Sequence, residues 1–566
     1  MTRTSRTRTS TRPAWVALAG MLLGLAPGAI ARAADPVRVE AGRVAEVAFT
    51  STKARQDPSN EATVDAVFTA PDGSSARVPA FWAGGGTWKV RYSSRTPGTY
   101  RFETACSDPG DPGLHEVKGS VEVVPYEGEN PLLRHGSLRA ADDGRHLCHA
   151  DGTPFFWLGD TWWMGFTDRL AWPGDFQALA ADRASKGFNV VQVVAGLYPD
   201  MPAFDPRGRN EAGFPWEPDY ARINPAYFDA ADRRVAHLVE AGLTPCIVGA
   251  WGYHLPWLGE EKMKAHWRNL VARWGAYPVV WCAAGETTMP FYLSEDRKGD
   301  EDRQKRGWTE VIAYLRSVDP FHRLVTTHPA RTARASVTDP AVLDFDMHQS
   351  GHGTPPEGHA ALAFEGWNTE PVMPVLSGEA RYEALEINPT LTDADARKAF
   401  WAHTVASGCA GHTYGANGIW QVNREGQPYG KSPGGNNWGT TPWDVAMKLP
   451  GSSQLGAARK LIESIPGWNH LEPRPKLVAW ADASKNAPAP LCATSPEGAR
   501  LVYLLAPGAV ELSGLPAGST SRASWFDPAA GTSGPEFDLA ASPEGRATAT
   551  APEGDHDWAL VVRAKG

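Results

Sequence analysis

Two glutamates, each preceded by glycine, are the strongest chemical signal in the chain: Gly285-Glu286 and Gly378-Glu379, each closing a short apolar run. A pair of carboxyl groups can divide the cleavage of a glycosidic bond. One protonates the leaving oxygen and the other attacks the anomeric carbon, which requires a separation of ~5 to 5.5 Å. Taken one at a time they are ordinary rim charges, so their meaning depends on what brings them together. Around them stand Asp160, Trp162, Trp163, Trp251, His328, His348, His352, Arg381, Tyr382, His412, Tyr414 and Trp420, each at or just beyond the end of an apolar run. Trp rings stack on the flat apolar faces of sugars. Asp160 either binds sugar hydroxyls or caps the segment after it. Arg381 and Tyr382 are expected to hold Glu379 ionised by charge and hydrogen bonding, and apolar walls with a neighbouring carboxylate should raise Glu286. His348 and His352 are spaced i, i+4, but Gln-Ser-Gly between them reads as a strand running into a loop, so hydrogen bonding to substrate is expected and no metal site.

Eight runs fit parallel strands with helices between them: 155–158, 189–194, 245–248, 279–282, 324–327, 345–347, 372–376 and 411–414. Helices are expected at 176–186, from Asn224-Pro225 to Gly242, and at 261–274, 308–318 and 393–407, the last capped by Thr392 with Asp395 three residues on. Alternation of this kind over about 310 residues reads as a (β/α)8 TIM barrel, which gathers the residues at its strand ends into one mouth. Strands four and seven lie across that mouth from each other, so Glu286 and Glu379 should converge. Pro374 weakens the seventh strand because it cannot donate to a central ladder.

The flanks have period two. Alternating runs broken by Pro71-Asp-Gly73 and Thr96-Pro-Gly98 read as a β-sandwich over residues 34–127. Residues 128–144 read as a polar connector, the barrel as 145–467, and a second small β-domain as 470–566. Residues 1–33, with Arg3, Arg6, Arg8 and Arg12 before an apolar run and Ala31-Arg32-Ala33, form a signal-peptide pattern, so an exported, periplasmic or extracellular protein is expected.

Of 566 residues, 56 are aromatic, 23 of them Trp. The net charge is −9, and removing the five Arg of the leader takes it to −14, which argues against a nucleic-acid partner. Beyond the leader no stretch approaches the ~18 apolar residues of a membrane span. Six widely spaced Cys imply neither a disulfide scaffold nor a zinc ribbon, while a Cys106–Cys148 bridge stays open. No nucleophile elbow, phosphate loop or dinucleotide fingerprint is present, so no cofactor is expected.

Five ordered stretches, Asp151-Gly-Thr-Pro-Phe-Phe-Trp-Leu-Gly-Asp-Thr-Trp162, Gly187-Phe-Asn-Val-Val-Gln192, Met347-His-Gln-Ser-Gly-His352, Gly378-Glu-Ala-Arg-Tyr-Glu383 and Gly411-His-Thr-Tyr-Gly415, resemble the apiosidase-like glycoside hydrolases across residues 150–465. The front resembles the immunoglobulin-like module that precedes such barrels, and the tail, with Trp525-Phe-Asp-Pro528 and Asp557-Trp558, a module labelled collagen-binding. The resemblance implies a (β/α)8 barrel and a retaining mechanism with Glu286 as acid/base and Glu379 as nucleophile. The family pattern has Gly-Asp after strand four where this chain has Gly-Glu286. The longer side chain changes the acid's reach, and apiose is not carried over as the substrate. The expected substrate is a plant-type or other complex polysaccharide. Two alternatives stand beside hydrolysis: a non-catalytic glycan- or matrix-binding adhesin, and a transglycosylase using the same residues.

Overall fold

The structure is a computed structural model that describes residues 36–564 and the strand Ile30–Ala31. The expected leader, residues 1–33, lies outside the described residues apart from that strand. At the centre are eight parallel strands, β1 (Trp157–Thr161), β2 (Val190–Val194), β3 (Thr244–Trp251), β4 (Val280–Gly285), β5 (Val325–Thr326), β6 (Asp346–Gln349), β7 (Val375–Glu379) and β8 (Gly411–Tyr414), hydrogen-bonded in the order 5-4-3-2-1-8-7-6. Around them lie α1 (Gly174–Ser185), α2 (Pro225–Glu240), α3 (Glu260–Trp274), α4 (Arg297–Val318), α5 (Pro356–Trp367), α6 (Asp393–Ala406) and α7 (Pro450–Glu463). The (β/α)8 barrel is therefore present, with its fifth helix reduced to the short 3-10 turns Arg334–Ser336 and Pro340–Val342.

No strand ladder joins β5 to β6. The seam is closed by the Asp344 amide donating to Val325 O at 2.8 Å, by Asp344 Oδ2 accepting from Val325 N at 2.7 Å, and by Thr326 Oγ1 donating to Phe345 O at 2.9 Å. Arg316 of α4 holds both oxygens of Asp344 from outside.

Local chemistry accounts for several element ends. The Asn224 side chain accepts from Ala226 N with Pro225 at the first position of α2, and Thr392 and Asp395 form a capping box on α6. β7 begins immediately after Pro374, whose carbonyl accepts from Asp346 N. Other boundaries differ from expectation. The first barrel strand is 157–161, because Pro154–Phe155 belongs to a separate three-stranded sheet with Leu138–Ala140 and Leu147–His149. The connector is accordingly not featureless: Asn130 caps a short helix, Pro131–Arg134, ahead of that sheet. α4 starts eleven residues earlier than Trp308, since its first turns are charged and carry little apolar periodicity. All six cysteines are buried free thiols, so Cys106 and Cys148 are not bridged.

Sheets flank the barrel on both sides. Residues 37–124, with the strand Ile30–Ala31, fold into a five-stranded and a four-stranded sheet, and residues 37–123 enclose their own apolar core. They dock on α2 and α3 through a buried cluster in which Arg91 and Arg273 both reach Asp232, at 2.7 and 2.9 Å, while Trp274 Nε1 donates to its other oxygen. Residues 472–563 form the C-terminal sheets. They are held to α6 and α7 by Arg397, which grips buried Asp557 at 2.8 Å and donates to Gln454. Tyr503 donates to Asp557 and stacks on Trp401 at 5.5 Å.

Removing one partner of a buried ion pair leaves an uncompensated charge costing about 3–5 kcal/mol. Asp557→Ala is therefore expected to lower the denaturation midpoint sharply while leaving turnover at the barrel mouth unchanged. An unshifted midpoint would show that the tail is held by other contacts.

Candidate active site

In a strand, successive side chains point to opposite faces, and this rule sorts the candidate residues. On β1, Thr161 faces the barrel interior, where it meets Tyr382, whereas Asp160 faces the helix layer. Asp160 is fully buried there, receiving Arg183 Nε at 2.5 Å and Trp162 Nε1 at 2.7 Å, so neither Asp160 nor Trp162 reaches the mouth. Burial and the Arg183 charge act in opposite directions on this carboxyl, and burial, the stronger, raises it. His348 likewise points outward to Asp346 (3.2 Å) and to His403 of α6 (3.3 Å). His412 packs on Phe400 of α6, and the Tyr414 hydroxyl donates to Glu383 at 2.6 Å behind the sheet. Arg381 pairs with Asp395 at 3.3 Å rather than with Glu379. These six positions support the barrel wall instead of lining the mouth.

The mouth contains Glu286, Glu379, Trp163, Trp251, His328, His352, Tyr382 and Trp420. Glu379 closes β7 with 6% of its surface exposed. Its Oε2 accepts from the Tyr382 hydroxyl at 2.9 Å, and His328 Nε2 lies 3.5 Å away. Its Oε1 faces His352 Nε2 at 3.3 Å. The other nitrogen of His352 lies 2.6 Å from the Ala380 carbonyl, so both ring nitrogens face acceptors and the arrangement calls for an imidazolium. Burial works against ionisation of Glu379, but the hydrogen bond and charge of His352 outweigh it and hold this carboxyl below its ordinary range. His352 is raised in turn: burial opposes its charge, and Glu379 overrides burial. The positive partner expected in Arg381 is thus His352.

Glu286 follows β4 with φ of 38°, in the left-handed region that non-glycine residues seldom occupy. Its Oε2 accepts from Trp251 Nε1 at 3.3 Å. The preceding glycine is required by packing, because a Cβ on Gly285 would lie 2.1 Å from the Trp251 ring. A Cβ on Gly378 would likewise lie 2.4 Å from Met347. Burial first, and then the negative charge of Glu379, pushes Glu286 up to about 7.

Gln349, the inward-facing neighbour of His348 at the end of β6, was not among the expected site residues. Its Nε2 donates to Glu286 Oε1 at 3.0 Å and to Glu379 Oε1 at 2.9 Å. One donor shared in this way places those two oxygens within about 6 Å of each other, short of the ~6.5–9.5 Å that an intervening water requires. Asp200 was also missed. It lies in the long loop after β2 at φ of 57°, accepts from the Tyr292 hydroxyl, and is pushed up to about 6 by burial, with Glu379 adding repulsion. Strand alternation could have identified Gln349, whereas nothing in the loop pattern marks Asp200.

Trp163 stands edge-on to Trp251 (5.4 Å) and to His328 (5.3 Å), and Trp420 lies 6.4 Å from Tyr382. A pair of carboxyl groups, one held charged and the other near neutrality, inside a wall of indole rings is equipped for acid-assisted displacement at a sugar carbon.

The model of the apiosidase-like catalytic domain matches residues 141–469, and a domain of unknown function (DUF5060) matches residues 38–107. Among solved structures, a glycoside hydrolase family 5 protein from Bacteroides vulgatus is 22% identical, with 78% of this chain and 95% of that one covered and a TM-score of 0.64. A second Bacteroides vulgatus structure, provisionally assigned as a glycoside hydrolase, is 18% identical over 93% of this chain and 100% of its own, with a TM-score of 0.67. No curated protein matches. At such identities the solved structures establish the shared fold, while the family match spans more than half of the sequence and includes both glutamates. The chain belongs to the apiosidase-like family of glycosidases, with its catalytic domain over residues 141–469.

Proposed function

We propose that the protein is an exported retaining glycoside hydrolase acting on a plant-type or other complex polysaccharide or its oligosaccharides. Glu379 is the nucleophile and Glu286 the general acid/base. The observation that carries this reading is the single Gln349 amide bonded to both carboxyl groups, which keeps one oxygen of each within about 6 Å of the other and so favours direct attack over an intervening water. The opposite shifts of the two groups support the roles: Glu379 is held low and can attack, and Glu286, raised to about 7, has a proton to give. A protein that only bound glycans would have no use for this asymmetry. The leader pattern supports export, and among the described residues no helix is long and apolar enough to cross a membrane. We assign the boundaries as 34–127 for the front sandwich, 145–467 for the barrel and 470–566 for the tail.

In the first step a Glu379 oxygen bonds to the anomeric carbon as the bond to the leaving oxygen breaks, and Glu286 delivers its proton to that oxygen. Tyr382 and Gln349 release hydrogen bonds from Glu379 as its charge is spent. In the second step Glu286, now ionised, takes a proton from water. The water oxygen bonds to the anomeric carbon and the Glu379 ester breaks. Two inversions give net retention.

Proton NMR of the first-formed product should therefore show the anomeric configuration of the substrate before mutarotation, whereas an inverted product removes Glu379 as nucleophile. Substituting Glu286 by Ala withdraws a contribution of ~10²–10⁴-fold with poor leaving groups. On an accepted nitrophenyl glycoside the same variant should show a burst of nitrophenol and acceleration by azide, giving a glycosyl azide of retained configuration. Glu379→Ala should show neither, and the reverse result would exchange the roles.

The two ionisations also set the pH dependence. Glu286 must be protonated in the free enzyme, so kcat/KM should fall as pH rises through about 7. Glu379 must be ionised, and because its carboxyl is held low, the acid limb should lie below the ordinary glutamate value of ~4.3. A profile still flat at pH 9 would exclude Glu286 as the acid.

A further inference from the structure

The hairpin leading into the barrel pairs Leu138–Ala140 with Leu147–His149 and turns through Asp143-Gly144, with Gly144 at φ of 67°. Asp143 is oriented by its own turn, since its Oδ1 accepts from Arg145 N at 2.8 Å. Its Oδ2 is thereby aimed at two imidazoles, with His146 Nδ1 at 3.0 Å and His470 Nδ1 at 3.3 Å. His470 comes from the other end of the catalytic domain, in the turn Trp468–His470 that joins α7 to the C-terminal sheets. One ligating atom from each of the three side chains lies within 4.8 Å of the others. A tetrahedral zinc ion holding nitrogen and oxygen at about 2.0–2.2 Å spaces its ligands roughly 3.3–3.5 Å apart. Two of the three distances are already close to that spacing.

We propose that Asp143, His146 and His470 form a binding site for a zinc-class divalent cation that clips the lead-in hairpin to the junction with the C-terminal domain. Two imidazoles and one carboxylate favour zinc and its transition-metal neighbours over magnesium or calcium, which prefer oxygen ligands. The site is supported from behind. Asn469 Nδ2 lies 3.4 Å from His146 Nε2. Ligation through Nδ1 moves the His146 proton to Nε2, and a half-turn of the Asn469 amide then offers Oδ1 to receive it, the outer contact that ligating histidines usually make. His146 itself is 7% exposed, so its ring is held in place by the surrounding structure. The side chains of Asp143 and His470 are 35% and 46% exposed, so the cation can enter from solvent and water can complete its shell.

The position argues for a structural clip. Arg145 stacks over Trp367 at the end of α5 (4.1 Å), and Gly144 packs against Val372, just ahead of β7. The triad therefore sits at the amino ends of the strands, on the face opposite Glu286 and Glu379, where barrels keep residues that serve stability. A clip between residues 143 and 470 closes a loop of several hundred residues, the geometry in which a crosslink removes most freedom from the unfolded chain.

The test uses the full-length protein stripped with a chelator and titrated calorimetrically with zinc chloride, with magnesium chloride in parallel. One zinc per chain should bind with micromolar or tighter affinity and raise the melting temperature by about 2 °C or more, and magnesium should do neither. His470→Gln, an exposed position where folding is not at stake, should weaken zinc binding at least ~10-fold and abolish the thermal shift, with aryl glycoside turnover unchanged. Absence of zinc binding, or equal affinity in His470→Gln, would overturn the proposal and leave the triad as a hydrogen-bonded cluster only.

Discussion

Two carboxyl groups held this close in a mouth of low polarity cannot both be charged, and the rest of the site follows from how that repulsion is resolved. His352 settles it by placing its positive charge directly against Glu379, with Nε2 3.3 Å from its Oε1. Glu286 has only Trp251 and a shared amide as partners, and burial together with the charge of Glu379 pushes it up to about 7. Gln349 is neutral and can donate to both groups without favouring either. Its part is therefore spacing, while His352 supplies the bias. Without that bias the two groups would share one proton between them and neither role would be fixed.

The wall behind the mouth is built from a second set of polar pairs that never meet the reacting centre. Asp160 with Arg183, Asp346 with Arg334 and His348, and Glu383 with Tyr414 are all shielded from water between strands and helices. Such pairs contribute little net stability over well-packed apolar groups, but breaking one is expensive. They tie β1, β6 and β8 to the segments packed behind them, and the inward residues lie one position away along each strand. Tyr382 illustrates the coupling, since its hydroxyl contacts both Glu379 and Thr161, the inward neighbour of Asp160.

That one-position offset also explains what was legible in the sequence. The barrel could be read because eight apolar runs alternate with capped helices, and the two glutamates because they close the fourth and seventh runs. The residues around them were less legible. Asp160, His348, His412 and Tyr414 carry polar chemistry at strand ends, yet strand parity turns them outward, and Gln349, less conspicuous beside His348, turns in. Arg381 was expected as the partner of Glu379 because charge was read along the chain, whereas the chain bends after β7 and presents Tyr382 and, from another loop, His352. Asp200 was illegible for a different reason. It is brought to the mouth by a long loop held by contacts such as the Tyr429 hydroxyl on Pro199 O, and no local period records an encounter of that kind.

The seam between β5 and β6 distributes substitution tolerance unevenly around the barrel. Where neighbouring strands are laddered, backbone groups make the closing bonds and side chains need only fill space, so one aliphatic residue can replace another at modest cost. At the seam two of the three closing bonds pass through side chains, the carboxylate of Asp344 and the hydroxyl of Thr326, and no aliphatic residue can make either. Two polar positions, half-buried Asp344 and fully buried Thr326, far less apolar than the strands they join, are consequently among the least replaceable in the barrel, and sequence drift in such a fold would be slowest where its sheet is least regular.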